Sequence, residues 1–276
     1  LVLLFYGEIE MNDIVSGAHF LSGLSSPAAK PDRPMSNWLC GNRSGVARLS
    51  LVCFPYAGGG VGAWLPWRKH LPAWVDLFAV QLPGRGARMM EPPLRHMEAI
   101  IPHLANATAN LGPCVFFGHS MGAFLAYETA RMLKSTGRSM PDKLIVSGQR
   151  APHLPDSGRL VHALPLPEFV EELRSRGGTP DDVLQDKELM ELLSPMLRAD
   201  FELCERYASP LRLPLDIPLT AFGGKEDERA AHAKREAWKE HTTEAFRHRE
   251  FEGGHFFVHS AEEAVLAAIQ EELEAA

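Results

Sequence analysis

Ser120 lies in Gly118-His119-Ser120-Met121-Gly122, directly after the apolar run Val115-Phe116-Phe117. A serine hydroxyl is a poor nucleophile at neutral pH. It needs a base in hydrogen-bond reach, and the base needs an acid to fix its tautomer. A strand that delivers serine into a tight turn forces it toward positive φ. Glycine on either side leaves room for that turn, because a side chain there would collide with the neighbouring strand or helix. The stretch Ala123–Lys134 is compatible with a helix leading the chain away. The hydroxyl is then held out at the carboxyl end of a sheet, where a base and a substrate can reach it.

Glycines also mark a second place where backbone can do chemistry. Pro55-Tyr56-Ala57-Gly58-Gly59-Gly60 follows the first strong apolar run. Glycines let backbone N–H groups approach a carbonyl oxygen closely, as an oxyanion hole requires. One donor is expected from Met121, the residue after the serine. The other is expected from Ala57, with Tyr56 as second choice. A phosphate cradle is the competing use of such glycines. The stretch lacks the Lys-Ser/Thr ending of a P-loop and the spacing of a dinucleotide fingerprint.

These parts need a sheet to position them. Strands are predicted over Ala47–Phe54, Asp76–Gln81, Val115–Gly118, Lys143–Ser147, Leu219–Phe222 and His248–Phe251. Helices are predicted over Gly62–Leu71, His96–Leu111, Gly122–Lys134, Glu228–His241 and Ala261–Leu273. The alternation implies an α/β fold with a mostly parallel sheet covered by helices on both faces. Pro165 to about Leu213 breaks the alternation, with helical periods at Glu168–Arg176 and Glu188–Tyr207. It reads as an inserted helical lid at about 165–213. Pro195 is expected to begin a helix there or kink one. The apolar stripe of the lid packs on the sheet, lines an acyl channel, or does both.

A serine elbow on such a sheet resembles the α/β-hydrolase fold, in which the chain order is Ser, then Asp or Glu, then His. The acid belongs on a loop after a late strand and the histidine after the last strand. Asp227 follows Phe222 and Gly223-Gly224-Lys225-Glu226. Glu226 and Glu228 are adjacent competitors, and a helix N-cap is the other use of this aspartate. Asp216 precedes the strand, and Asp200 lies in the lid as a cap or ion-pair partner. His255 follows Glu252-Gly253-Gly254. The chain has 12 histidines, so position decides. His259 sits toward the last helix, His241 and His248 point elsewhere, and His119 is expected to turn away from the nucleophile.

Phe54-Pro55-Tyr56-Ala57-Gly58-Gly59, Gln81-Leu82-Pro83-Gly84-Arg85, Gly118–Gly122, Leu197-Arg198-Ala199-Asp200, Phe222-Gly223-Gly224 and Gly253-Gly254-His255-Phe256-Phe257 occur in that order. Together they resemble the type II thioesterases that serve polyketide synthases and nonribosomal peptide synthetases. The likeness spans roughly Trp38 to Leu273. It implies a triad of Ser120, Asp227 and His255, and removal of stalled acyl groups from the phosphopantetheine arm of carrier-protein domains. It also implies a discrete partner of the synthase, not one of its modules. Tyr56 stands where the family often has His, and Ala87 where Glu often follows. Arg85 and Arg88, in the loop Pro83–Arg88, either meet the pantetheine phosphate or an acidic carrier surface, or bond loop carbonyls.

The bulk properties bound the alternatives. The chain has 276 residues and a net charge of −7, with no basic block, so nucleic acid is not an expected partner. No apolar run approaches the roughly 20 residues needed to span a bilayer, so no membrane partner is expected. Cys40, Cys53, Cys114 and Cys204 have no metal or redox spacing, and a reducing cytoplasm is the economical reading. No metal or other cofactor is called for. No assembly motif is visible, and a monomer is expected. Residues 1–34 read as an extension apart from the fold, with Ser22–Pro34 rich in Ser, Pro and Ala and disordered in character. Residues 35–276 read as the catalytic domain. Two other functions fit the same pattern: a free-standing esterase or acyl-CoA thioesterase, and a catalytically silent hydrolase fold that binds an acyl ligand or partner.

Overall fold

The computed structural model describes residues 36–155, 158–210 and 213–276. The extension expected at residues 1–34 lies outside them. Seven strands form one sheet: β1 (Leu39–Cys40), β2 (Leu49–Phe54), β3 (Val75–Val80), β4 (Cys114–His119), β5 (Lys143–Ser147), β6 (Leu219–Gly224) and β7 (Phe246–Phe251). Their order is β1-β3-β2-β4-β5-β6-β7, and only β1 runs antiparallel to its neighbour. Strands β2 to β6 are buried at every position, which is why they read as largely apolar runs. The edge strand β7 carries Arg247, Arg249 and Glu250, charges that discourage pairing with another chain.

Among the described residues eight α-helices accompany the sheet: α1 (Met97–Thr108), α2 (Met121–Ser135), α3 (Leu166–Arg176), α4 (Asp181–Gln185), α5 (Lys187–Arg206), α6 (His232–Glu236), α7 (Phe257–Ser260) and α8 (Glu262–Glu274). Alternate strand residues feed two cores. Val52, Phe78, Phe116 and Leu144 pack with α1 and α2 on one face. Leu51, Leu77, Phe117 and Ile145 pack with Trp64, Trp67 and α8 on the other. The α/β-hydrolase architecture expected from the alternation is the one observed. Between β5 and β6, helices α3 to α5 bury Phe169, Leu173, Leu193 and Met196 in a third cluster of their own.

Several elements differ from expectation. The segment predicted as a helix over Gly62–Leu71 is two 3-10 helices, Val61–Ala63 and Leu65–His70. Trp64 and Trp67 are fully buried, and a three-residue turn brings them to one side, edge to face with centroids 4.8 Å apart. The helix predicted over Glu228–His241 begins only at His232 and tightens to 3-10 over Ala237–His241. Its intended first turn is taken by Asp227, whose Oδ1 accepts from the Arg229 and Ala230 amides. Helix α5 runs unbroken through Pro195. Proline frees the Glu191 carbonyl, and the Ser194 hydroxyl donates to it at 3.4 Å. Strand β1 and helices α4 and α7 are additions to the predicted set.

The sheet order reverses between β2 and β4. The chain steps from β2 outward to β3, then returns to place β4 on the other side of β2. Loops leaving the carboxyl ends of β2 and β4 therefore diverge and leave a crevice, the usual binding place in an open α/β sheet. The glycine-rich loop and Ser120 are those two loops.

Candidate active site

Ser120 follows β4 with φ 53°, ψ −118°, and among the described residues it is the one non-glycine with positive φ. The strain is held by close packing. A Cβ on Gly118 would sit 2.0 Å from the Gly122 carbonyl oxygen, and one on Gly122 would sit 2.3 Å from that of Phe54. The Ser120 amide is tied to the Ser147 carbonyl of β5 at 2.7 Å. Backbone strain of this kind persists only where surroundings over-determine it.

His255 reaches back over the serine from the loop after β7. Its Nε2 lies 3.0 Å from Ser120 Oγ, and its Nδ1 lies 2.8 Å from Asp227 Oδ2. Burial alone would raise the Asp227 carboxyl. The His255 hydrogen bond and charge, with the Ala230 and Arg229 amides, outweigh burial and hold it below the ordinary carboxylate value. An ionised carboxylate only accepts, so His255 donates from Nδ1 and its Nε2 is left to accept the serine proton. The Asp227 side chain is fully buried, and that of His255 is 15% exposed.

The competing acids and histidines have other occupations. Glu226 and Glu228 are exposed. Asp216 pairs with Lys134 at 2.9 Å. His241 bonds Tyr127, and His248 accepts from Arg235. His259 Nε2 meets the Tyr56 hydroxyl at 3.1 Å. His119 bonds Ser147 Oγ at 2.9 Å, and its buried ring lies 5.2 Å from the His255 ring. Burial, followed by the charges of His255 and His259, pushes the His119 pKa well below its ordinary value. A neutral His119 adds no repulsion when a neighbour gains a proton.

Met121 opens α2, so its N–H has no carbonyl one turn back within the helix. The Ala57 N–H has no acceptor among the described residues. Both residues flank the serine-bearing crevice, on the loops after β4 and β2. Arg85 and Arg88 are committed to protein partners. Arg85 is buried against Asp200 and the Gly59 carbonyl. Arg88 holds Glu91 and the Gln81 carbonyl and stacks 4.3 Å over Trp38. The Asp200 contact to the glycine loop was invisible in the sequence, since nothing local links residues 142 positions apart.

A cavity of about 960 Å³ opens beside Ser120 and His255. Leu173, Leu193, Met196 and Phe201 of α3 and α5 line one side, with Val61 and Leu65 among the lining residues across from the sheet loops. No lining group is a metal cluster. The one grouping of ligand types among the described residues is His232, His248 and Glu250, where Arg235 already donates to His248 and Glu250 and His232 bonds Glu250. No helix among the described residues is long and apolar enough to cross a membrane.

The family model for the thioesterase domain matches residues 50–273. The chain belongs to the thioesterase family. Its activity class is thioester hydrolysis, and the resemblance to type II thioesterases of polyketide and nonribosomal peptide pathways holds. Linear gramicidin dehydrogenase LgrE of Brevibacillus parabrevis is 41% identical over 87% of this chain and 93% of its own length. RedJ, the thioesterase from the prodiginine pathway in Streptomyces coelicolor, is 39% identical with a TM-score of 0.78, covering 91% of this chain and 96% of that one. The type II thioesterase BorB from the borrelidin biosynthetic cluster is 35% identical with a TM-score of 0.78, covering 86% and 98%. The first of these bears a dehydrogenase's name; here the glycine loop leads into 3-10 helices, Val61–Ala63 and Leu65–His70, and not into the α-helix that a dinucleotide fingerprint opens.

Proposed function

We propose that this thioesterase hydrolyses acyl thioesters from the phosphopantetheine arm of carrier-protein domains, as an editing enzyme of polyketide or nonribosomal peptide biosynthesis. Residues 35–276 act as one catalytic domain with a lid at about 165–213. It works as a monomer in the cytoplasm, where four free cysteines stay reduced. The observation that carries the reading is the Ser120–His255 contact at 3.0 Å beside an apolar chamber of about 960 Å³.

The reaction runs through a triad. His255 Nε2 takes the Ser120 proton as Oγ attacks the thioester carbonyl carbon. Asp227 stabilises the imidazolium that forms. The Ala57 and Met121 amides hold the oxyanion, a contribution of roughly 3–4 kcal/mol per donor. Collapse expels the pantetheine thiolate, whose conjugate acid has a pKa of about 8.5, so it leaves readily, and the His255 imidazolium then gives it the serine proton and becomes neutral again. Water then attacks the acyl-serine with His255 again as base, releasing the acid and restoring the hydroxyl. The apolar lid shelters the acyl chain meanwhile.

Turnover of one acyl group on a holo-carrier protein and on coenzyme A, at equal concentration, tests the carrier preference. The carrier thioester is expected to be hydrolysed faster. Equal or better turnover of acyl-CoA makes this a free-standing acyl-CoA thioesterase instead. Undiminished turnover in purified Ser120→Ala makes the fold a binding module.

A further inference from the structure

The loop after β2 must present the Ala57 N–H to an oxyanion, yet it is built from residues with little to hold it. Gly58, Gly59 and Gly60 have no side chains to wedge against anything. The loop is held through its backbone instead. The Gly58 N–H donates to Asp200 Oδ2 at 2.8 Å. Arg85 Nη1 donates to the Gly59 carbonyl at 2.9 Å. The same guanidinium grips Asp200 with both ends, Nη1 to Oδ2 at 2.7 Å and Nη2 to Oδ1 at 2.6 Å. The two side chains are 7% and 2% exposed.

These contacts act on the peptide plane that matters. The Tyr56 carbonyl and the Ala57 N–H belong to one planar amide. That carbonyl accepts from the Gly59 N–H at 2.8 Å, closing a turn over Tyr56–Gly59. Asp200 fixes the middle of the turn and Arg85 fixes its end. Gly58 has φ +77°, and a Cβ there would sit 2.7 Å from Leu197 Cδ2, so the turn lies directly on α5, the helix that carries Asp200. A buried ion pair is a poor source of stability, because desolvation offsets most of its attraction. Here one atom of each partner, Arg85 Nη1 and Asp200 Oδ2, also holds the glycine turn.

We propose that Arg85 and Asp200 are positioning residues that aim the Ala57 amide at the oxyanion. The proposal rests on the assignment of Ser120 as nucleophile and Ala57 as donor. It makes the lid helix a part of the catalytic apparatus, reaching the site through one carboxylate.

The test compares Arg85→Gln/Asp200→Asn, which removes both charges together, with Arg85→Lys, which keeps the charge but loses the planar fork. Circular dichroism and thermal melting select folded protein, and Arg85→Lys gives the reading should the double variant not fold. Hydrolysis of octanoyl-N-acetylcysteamine gives kcat and KM, and octylboronic acid reports binding of a tetrahedral adduct. In the double variant kcat is expected to fall about 100-fold with KM within about threefold, and boronate affinity to fall in step. Arg85→Lys is expected to lose about tenfold or more in the same pattern. Either variant folded with kcat near the parent's, or a kcat loss with unchanged boronate affinity, overturns the proposal. Ser120→Ala separates the two assignments. Turnover surviving that change defeats the nucleophile and the positioning role together. Its loss beside unimpaired Arg85 and Asp200 variants defeats the positioning role alone.

Discussion

Asp227 meets His255 with one carboxylate oxygen and its own turn with the other. Oδ2 lies 2.8 Å from His255 Nδ1, while Oδ1 accepts from the Arg229 and Ala230 amides at 3.2 and 3.3 Å. The carboxylate that closes the turn and the one that meets His255 are therefore one group. The turn orients the carboxylate, and the carboxylate orients the imidazole.

That division makes Asp227→Asn informative. The amide oxygen can keep the turn bonds while the NH2 group faces Nδ1. Nδ1 must then accept, which moves the ring proton to Nε2 and removes the base facing Ser120. We expect kcat to fall by about 10⁴. Urea unfolding is expected to change by only about 1–2 kcal/mol. Near-normal turnover would transfer the acid's role to Glu226 or another carboxylate.

The elbow glycines are expected to be intolerant of even one methyl group. Gly118→Ala brings a Cβ to 2.0 Å from the Gly122 carbonyl oxygen, which is helix backbone and cannot swing aside. Overpacking of this kind costs about 1–3 kcal/mol or more. Urea denaturation should show that loss, and turnover per folded molecule should fall with it as Ser120 shifts. An alanine variant with parental stability and kcat would mean that the elbow relaxes easily and that its strain holds nothing in place.

Much of this layout was legible in the sequence because burial on both faces leaves a plain trace. Leu49–Phe54, Val115–Phe117 and Lys143–Ser147 sit in strands enclosed by helices, so they read as short, largely apolar runs. Ser120, Asp227 and His255 could be picked because each follows a strand and a glycine-bearing turn, in the one order such a sheet allows. The helix expected over Gly62–Leu71 is 3-10 instead, a difference that a spacing of three, as between Trp64 and Trp67, does not reveal because it suits both helix types. Strand β1 is two residues long and carries no period. The Arg85–Asp200 pair depends on α5 packing over the β2 loop, and no local pattern encodes that approach.

Filling the chamber tests whether the lid reads acyl chains. Met196 is buried on α5, packs in the lid cluster and lines the cavity. Met196→Trp is expected to reduce kcat/KM for a decanoyl thioester by about tenfold more than for an acetyl thioester, since a shape-filling change of this kind is worth about 1–3 kcal/mol. Assays of both thioesters on one carrier give the ratio. Equal losses for both chains would make Met196 a packing residue with no view of the substrate.

A buried histidine away from the chemistry predicts how stability responds to acid. His241 is 1% exposed, its Nδ1 meets the Tyr127 hydroxyl at 2.8 Å and its Nε2 meets His153 Nδ1 at 2.8 Å. Burial, then the charges of His153 and Arg131, push its pKa down from 6.5 to about 4. Glu240 stands 3.9 Å beyond, beside His153, and does not reach the His241 ring. The folded state therefore refuses a proton that the unfolded chain accepts below about pH 6.5. Stability from this group is whole above pH 6.5 and is lost as pH falls toward 4. The loss between pH 7 and pH 5 is about 2 kcal/mol. His119, His248 and His259 are shifted the same way, by burial first, and steepen the total. Comparing parent with His241→Asn isolates one share. Urea unfolding at pH 7, 6 and 5 should show a lower starting stability in the variant and a slope shallower by that amount. A variant with the parent's slope would mean that His241 takes up its proton as readily folded as unfolded.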